Sequence, residues 1–379
     1  MKYSIFLSVI LLVFSCKSSF EKELKEEKII LENVKVYTGY DSEATAIVNA
    51  MRYLGYNVDE VLISGAGALM DFSYRQSAFP FISIKNPDFT EKCFENLNVK
   101  WSGKKYLRRN EGWKVILSKL KEGIPVILRV DVRYLPYRFN GKYGNKYSSY
   151  GLHYVTLFGV DFKNQIALIS DNDFTNLMEI GLSDLDRARN SSTQAFPPYG
   201  EFYWIEKQTN FAVDKKRILT NSIKYLVNNY EKPEKIKMSH FKTFNGLGGI
   251  QNLARELIQI ERWVNLDIFL PGIFYSFWYY IDRLETSGAA NRKITMDYFV
   301  LLNKELKNQK LSNIIKQLDR CIDNWNILSK EFYRISSEIT NYQEKYQRKP
   351  LYERAGAIAN QLFEEEKKLY ELLSSFTLQ

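Results

Sequence analysis

Gly151-Leu152-His153-Tyr154-Val155-Thr156-Leu157-Phe158-Gly159-Val160-Asp161, then Ile166-Ala167-Leu168-Ile169-Ser170-Asp171-Asn172-Asp173, is the stretch whose reading decides the fold. Each part is a continuous apolar run, too short for a core helix and rich in β-branched and aromatic residues. Such runs read as buried strands. The polar turn at Asp161 to Asn164 joins them as an antiparallel pair. A third run, Val126-Ile127-Leu128-Arg129-Val130-Asp131-Val132, adds a strand upstream.

Working outward, Asp41 to Tyr53 opens with cap residues and continues with apolar residues at helical spacing, predicting a helix ended by Gly55. Trp113 to Lys121 predicts another, stopped at Gly123. Gly65-Ala66-Gly67-Ala68 reads as a flexible turn; it lacks the Lys-Ser/Thr end of a phosphate loop. Residues 138–151, rich in Gly and Tyr, read as a mobile loop just before His153. Beyond residue 211 the pattern becomes helix after helix. Ile315, Leu318, Ile322, Trp325, Leu328, Phe332, Ile335 and Ile339 make one apolar stripe. Leu351, Ala355, Ile358, Leu362 and Leu369 make a second, with Pro350 as the expected helix start.

With 379 residues the chain has length for two domains. Its 45% apolar and 26% charged residues exclude wholesale disorder and a multi-span membrane protein. The net charge of +9 is spread along the chain, with no basic run to track a nucleic acid, so no nucleic-acid partner is expected. Two histidines and three cysteines leave little for a metal site, and no metal or cofactor is expected.

The N-terminus has one Lys, an apolar segment from Ile5 to Phe14, and then Ser15-Cys16. A membrane-spanning helix needs about 20 apolar residues, so this segment reads as a signal peptide over residues 1–15. Ser15-Cys16 resembles a loose bacterial lipobox, which predicts cleavage before Cys16 and its lipidation with palmitate-type acyl chains. Residues 16–33 then form a polar tether. The alternative is an ordinary signal peptide with an incidental cysteine. Cys93 and Cys321 are expected unpaired, in separate domains.

Three residues carry the candidate chemistry. The strand pair places His153 near Asp171, the geometry in which a carboxylate orients an imidazole. Ser42 stands at a helix opening, where the dipole favours an anionic nucleophile. Plainer readings compete: Asp41 and Ser42 are good N-cap residues, His153 a hydrogen-bonded core residue, and Asp171-Asn172-Asp173 a turn.

The sequence from about residue 34 to 375 resembles the butirosin biosynthesis protein H family. The resemblance rests on Ser64-Gly65-Ala66-Gly67-Ala68-Leu69, Phe72-Ser73-Tyr74, Pro80-Phe81-Ile82, Val130 through Tyr137, and Gly151-Leu152-His153-Tyr154-Val155. Gly246 to Ile250, Glu285-Thr286-Ser287-Gly288, Arg292 and Trp325 extend it. It implies an α+β chain: a papain-like cysteine-hydrolase-type domain followed by an all-α helical companion. His153 then takes the catalytic histidine position and Asp171 that of the orienting acid. The nucleophilic cysteine, usually preceded by His, falls on Asp41-Ser42, so serine replaces the thiol. A serine hydroxyl needs full general-base help and a tuned oxyanion hole. No Gln or Asn upstream of Ser42 offers itself as an oxyanion donor. The family's reaction moves an aminoacyl group from an acyl carrier protein onto an aminoglycoside. An exported protein would not meet a cytoplasmic carrier, so only the fold expectation carries over.

The expected organisation is a signal peptide (1–15), lipidated Cys16 and tether (16–33), a papain-like domain (34–210) and a helical domain (211–379). The leading functional reading is a degenerate acyltransferase-like lipoprotein of the bacterial envelope. It would be held to the membrane by its lipid and bind a peptide, glycan or small molecule. The alternative is an active serine-dependent acyltransferase or amide hydrolase using Ser42, His153 and Asp171. A third reading is a surface lipoprotein without a functional cleft.

Overall fold

The computed structural model describes residues 27–105, 109–145, 150–192, 196–209, 211–233, 235–238, 241–264, 267–342 and 344–377. The expected signal peptide, Cys16 and the tether as far as residue 26 lie outside these. The fold is mixed α+β, with a sheet domain followed by a largely helical C-terminal region. Two compact units divide the chain, one of Met1–Val58 with Lys100–Thr209, the other of Asp59–Val99 with Asn210–Gln379. The contiguous stretches 34–210 and 211–379 do not describe these units, because residues 59–99 are built into the second.

The first unit is a seven-stranded antiparallel sheet with helices. Its strands are β1 (Lys28–Ile30), β4 (Trp101–Lys104), β5 (Val126–Val130), β6 (His153–Asp161), β7 (Ile166–Ser170), β8 (Met178–Gly181) and β9 (Phe202–Ile205). They run in the order β4-β9-β5-β6-β7-β8. β5 and β1 share one edge of β6, pairing with its first and last residues respectively. Residues 28–30, expected to be tether, are therefore a strand, and Leu31 is buried behind them. Gly159 permits this: a Cβ there would stand 2.9 Å from the Ile29 carbonyl oxygen. Every residue of β6 is buried, which explains its unbroken apolar run.

The helices of this unit are α1 (Ser42–Tyr53), α4 (Arg109–Lys121) and α5 (Leu182–Asn190). Trp113, Ile116, Leu117 and Leu120 of α4 join Val126, Leu128, Val155, Leu157 and Val160 of the sheet in one core. Helix α1 is buried from Ser42 to Met51. It is tied to β6 by the Thr156 hydroxyl, which donates to the Ala46 carbonyl at 2.9 Å.

The second unit holds α2 (Glu60–Ala66), β2 (Met70–Gln76), β3 (Phe81–Lys85), α3 (Phe89–Leu97), α6 (Lys215–Glu231), β10 (Lys235–Met238) and β11 (Phe241–Asn245). Then follow α7 (Gly246–Leu257), α8 (Leu270–Asp282), α9 (Arg292–Leu306), α10 (Gln309–Glu338) and α11 (Lys345–Ser374). Besides its helices it carries a four-stranded antiparallel sheet, β10-β11-β2-β3, in which Tyr74 pairs with Phe244. That pairing draws residues 59–99 into this unit. Gly65 is no flexible turn. It lies in α2 against the Tyr298 ring, where a Cβ would come within 1.9 Å of Cγ. Cys93 and Cys321 are both buried, and both belong to this unit, not to separate ones.

The long apolar stripe lies on α10, rotated slightly from the expected line. Ile314 and Cys321 are fully buried where Ile315 and Ile322 are half-buried. Helix α11 begins at Lys345 behind a Glu344–Gln347 capping box, so Pro350 sits inside it, not at its start. No helix of the described residues is long and apolar enough to cross a membrane.

Candidate functional site

The site begins with strand register. Thr156 pairs with Ser170, so extending the ladder sets Val155 opposite Asp171 and His153 one diagonal step away. The side chains meet: His153 Nε2 lies 2.9 Å from Asp171 Oδ1. A carboxylate on Nε2 fixes the ring's orientation and assigns base chemistry to Nδ1.

Asp41, not Ser42, caps α1; its Oδ1 accepts from the Ala44 amide at 2.8 Å. Ser42 is the first helical residue, and its Oγ accepts from the Tyr154 amide at 3.1 Å. The hydroxyl is thus held against the residue that follows His153. A second tie fixes the approach to the helix. Gly39 N donates to the Asn172 carbonyl at 3.1 Å, and Asn172 Nδ2 returns a bond to the Gly39 carbonyl at 3.3 Å. Helix start and strand end are therefore locked together, and Ser42, His153 and Asp171 are each only 1% exposed.

The expected loop at 138–151 begins as structure. Pro136–Phe139 forms a 3₁₀ turn, while residues 146–149 of the loop lie outside the described residues. This turn delivers two donors to Asp171. The Tyr137 hydroxyl donates to Oδ2 at 2.7 Å, and Arg138 forks across the carboxylate, with Nε to Oδ2 at 2.7 Å and a terminal nitrogen to Oδ1. Arg138 also reaches Asp173 Oδ2 at 2.8 Å and Asn172 Oδ1 at 3.0 Å. Tyr134 of the same segment packs edge-on to Tyr143.

Burial works against a charged Asp171, and His153 and Arg138 overcome it, holding the carboxyl well below the usual carboxylate range. The Tyr137 hydroxyl is pushed far above its ordinary value by burial and by the Asp171 charge beside it. It is a fixed donor at neutral pH. Arg138 is the residue that sequence reasoning missed. It follows the quoted Val130–Tyr137 segment directly, in a short turn without periodicity, so only its position after Pro136-Tyr137 could have marked it. Among the described residues no group of three or more His, Cys, Asp or Glu side chains is placed to hold a metal ion.

Two family models match the chain, one after the other. The family model described as butirosin biosynthesis protein H, N-terminal, matches residues 41–172, the span that contains Ser42, His153 and Asp171. A second, described as a domain of unknown function (DUF4872), matches residues 183–373. No curated protein matches the chain. The match boundaries do not follow the compact units, since α2 to α3 fall in the first match and pack in the second unit. With both models matched in order along one chain, the protein belongs to the family in which a butirosin biosynthesis protein H N-terminal domain precedes DUF4872.

Proposed function

We propose that this protein is a degenerate, ligand-binding member of an acyltransferase-like family, carried on the bacterial envelope by a lipid at Cys16. The observation that carries the loss of catalysis is the fork of Arg138 on Asp171. In a nucleophile–His–acid relay the carboxylate must stabilise the imidazolium that forms when the base takes the proton. Here a guanidinium shares both oxygens, so the carboxylate's charge is divided between Arg138 and His153. A thiol tolerates such weakness, because its thiolate forms readily. A serine hydroxyl, far less acidic, needs the whole of the general base. The buried, amide-bonded Ser42 in place of cysteine meets a base whose acid is shared with Arg138. What is left is a papain-like frame that recognises a peptide, glycan or small molecule without rapid turnover.

A second reading keeps Ser42, His153 and Asp171 as an active serine acyltransferase or amide hydrolase. The His153–Asp171 bond and the position of Ser42 at the start of α1 favour it. A fluorophosphonate probe separates the two. The degenerate reading expects no labelling of the wild type above Ser42→Ala, and iodoacetamide capture by Ser42→Cys, because the helix terminus and His153 lower a thiol's pKa. Fluorophosphonate labelling lost in Ser42→Ala establishes the enzyme instead. The anchor is tested by detergent-phase partitioning. Cys16→Ala should move the protein to the aqueous phase with its fold intact, and retention in the detergent phase would sink the lipoprotein reading.

A further inference from the structure

A cleft of about 1030 Å³ opens in the second unit, lined by the end of β2, the end of α6, β11, the start of α7 and the segment at Arg262-Trp263. Ser42, His153 and Asp171 take no part in it. Its charge is one-sided: Lys232, Lys242, Arg255 and Arg262 face a single lining carboxylate, Glu231. Lys232 is committed to Asp71 at 2.6 Å, and Arg255 lies 3.3 Å from Glu256. Lys242 and Arg262 have no carboxylate partner among the described residues; Arg262 donates only to the Gln259 amide oxygen, at 2.6 Å. Two exposed cations without an ion-pair partner among the described residues are thus held at one cleft, an arrangement that favours an anion entering from solvent.

The remaining walls add shape to the charge. Trp263 donates its indole N–H to the buried Glu256 carboxylate and remains 40% exposed. This bond pins the ring at the cleft, where a flat partner can stack. The first turn of α7 reaches the cleft at Asn245 and Gly248. Beyond the chain neighbours and backbone of α7 itself, nothing lies within 4 Å of where a Cβ on Gly248 would stand, so a ligand can approach that backbone closely. The Asn245 amide is spent on the Pro233 carbonyl and caps nothing in α7.

We infer that this cleft binds a small ring-bearing organic anion, its phosphate or carboxylate held by Lys242 and Arg262 and its ring laid on Trp263. The site is independent of the chemistry at Ser42 and gives the helical region a recognition role of its own. Isothermal titration of the full chain with glucose 6-phosphate, glucuronate and inorganic pyrophosphate tests it. A ring-bearing anion should bind saturably, more weakly as salt rises. Binding should fall about tenfold or more in Lys242→Gln/Arg262→Gln, as expected when two charge-assisted hydrogen bonds are removed. Lys310→Gln, an exposed substitution away from the cleft, should change nothing. Trp263→Ala should weaken glucose 6-phosphate or glucuronate but spare pyrophosphate. Preference between the two sugars identifies phosphate or carboxylate as the anion. Absence of saturable binding by either sugar, or equal binding by the Lys242/Arg262 double variant with its circular dichroism unchanged, overturns the assignment.

Discussion

Each unit contains a buried carboxylate wrapped by an arginine, a tyrosine and an aromatic ring nitrogen, and only one of the two rings can exchange a proton. Glu366, in the helical region, accepts from Arg292 Nε at 2.9 Å and a terminal nitrogen at 3.3 Å, from Trp325 Nε1 at 2.6 Å, and from the Tyr230 hydroxyl. Asp171 accepts from Arg138, Tyr137 and His153 in the same manner. Burial and charge pairing are therefore common to both and do not by themselves mark a site. The difference lies in the ring. Trp325 can only donate, and its face is covered by Arg292, 4.8 Å from the ring centroid. His153 has a second nitrogen that can take up and release a proton, and Ser42 is held against the next residue. Placement matters too: Glu366 lies among four helices, Asp171 at a strand end beside a turn.

The comparison is broken most forcefully at Glu366. Glu366→Ala leaves Arg292 fully buried without its ion-pair partner and orphans the Trp325 and Tyr230 donors. A loss of about 3–5 kcal/mol is expected, read from urea unfolding. A loss below about 1 kcal/mol would mean that the cluster relaxes or hydrates and is not the counterpart drawn here.

Asp171→Ala should cost less, about 2 kcal/mol, because Arg138 keeps Asp173 as a partner and has a route to solvent. The same residue predicts a pH dependence. Its folded pKa lies below the unfolded value of about 3.9, so the folded state binds fewer protons between the two. Its contribution is complete above the unfolded value and is lost as pH falls toward the folded one. Asp171→Asn should flatten this acid limb of the stability curve; an unchanged slope would show that Asp171 is not the charged partner of Arg138.

The smallest effect belongs to Ser42. Ser42→Ala removes the acceptor of the buried Tyr154 amide and should cost about 1 kcal/mol. A change within error would imply that another acceptor replaces it, and the tie that holds Ser42 to the strand of His153 would lose its support.

Much of the first unit was legible in the sequence. The strands around His153 and Asp171 announced themselves because β6 is buried throughout, and Asp41 announced the start of α1 by its capping chemistry. What was not legible has a common cause. Arg138 acts from a short turn, where no periodicity exists to read. Residues 59–99 carry ordinary local signals, and nothing local states which sheet a strand will join. The pairing of Tyr74 with Phe244 decides that across 170 positions. Residues 28–30 carry no strand signal, because three residues are too few for a pattern, and β6 supplies the partner that orders them.

The sequence by itself determined the class of elements, the existence of a helical second half and the serine at the expected nucleophile position, because apolar spacing and residue type are local properties. Tertiary structure alone decided that Arg138 shares the Asp171 carboxylate with His153, and that four cations face one cleft. Those outcomes depend on which backbone segments pair and on what else competes for each buried charge, and neither is written in the neighbourhood of any one residue.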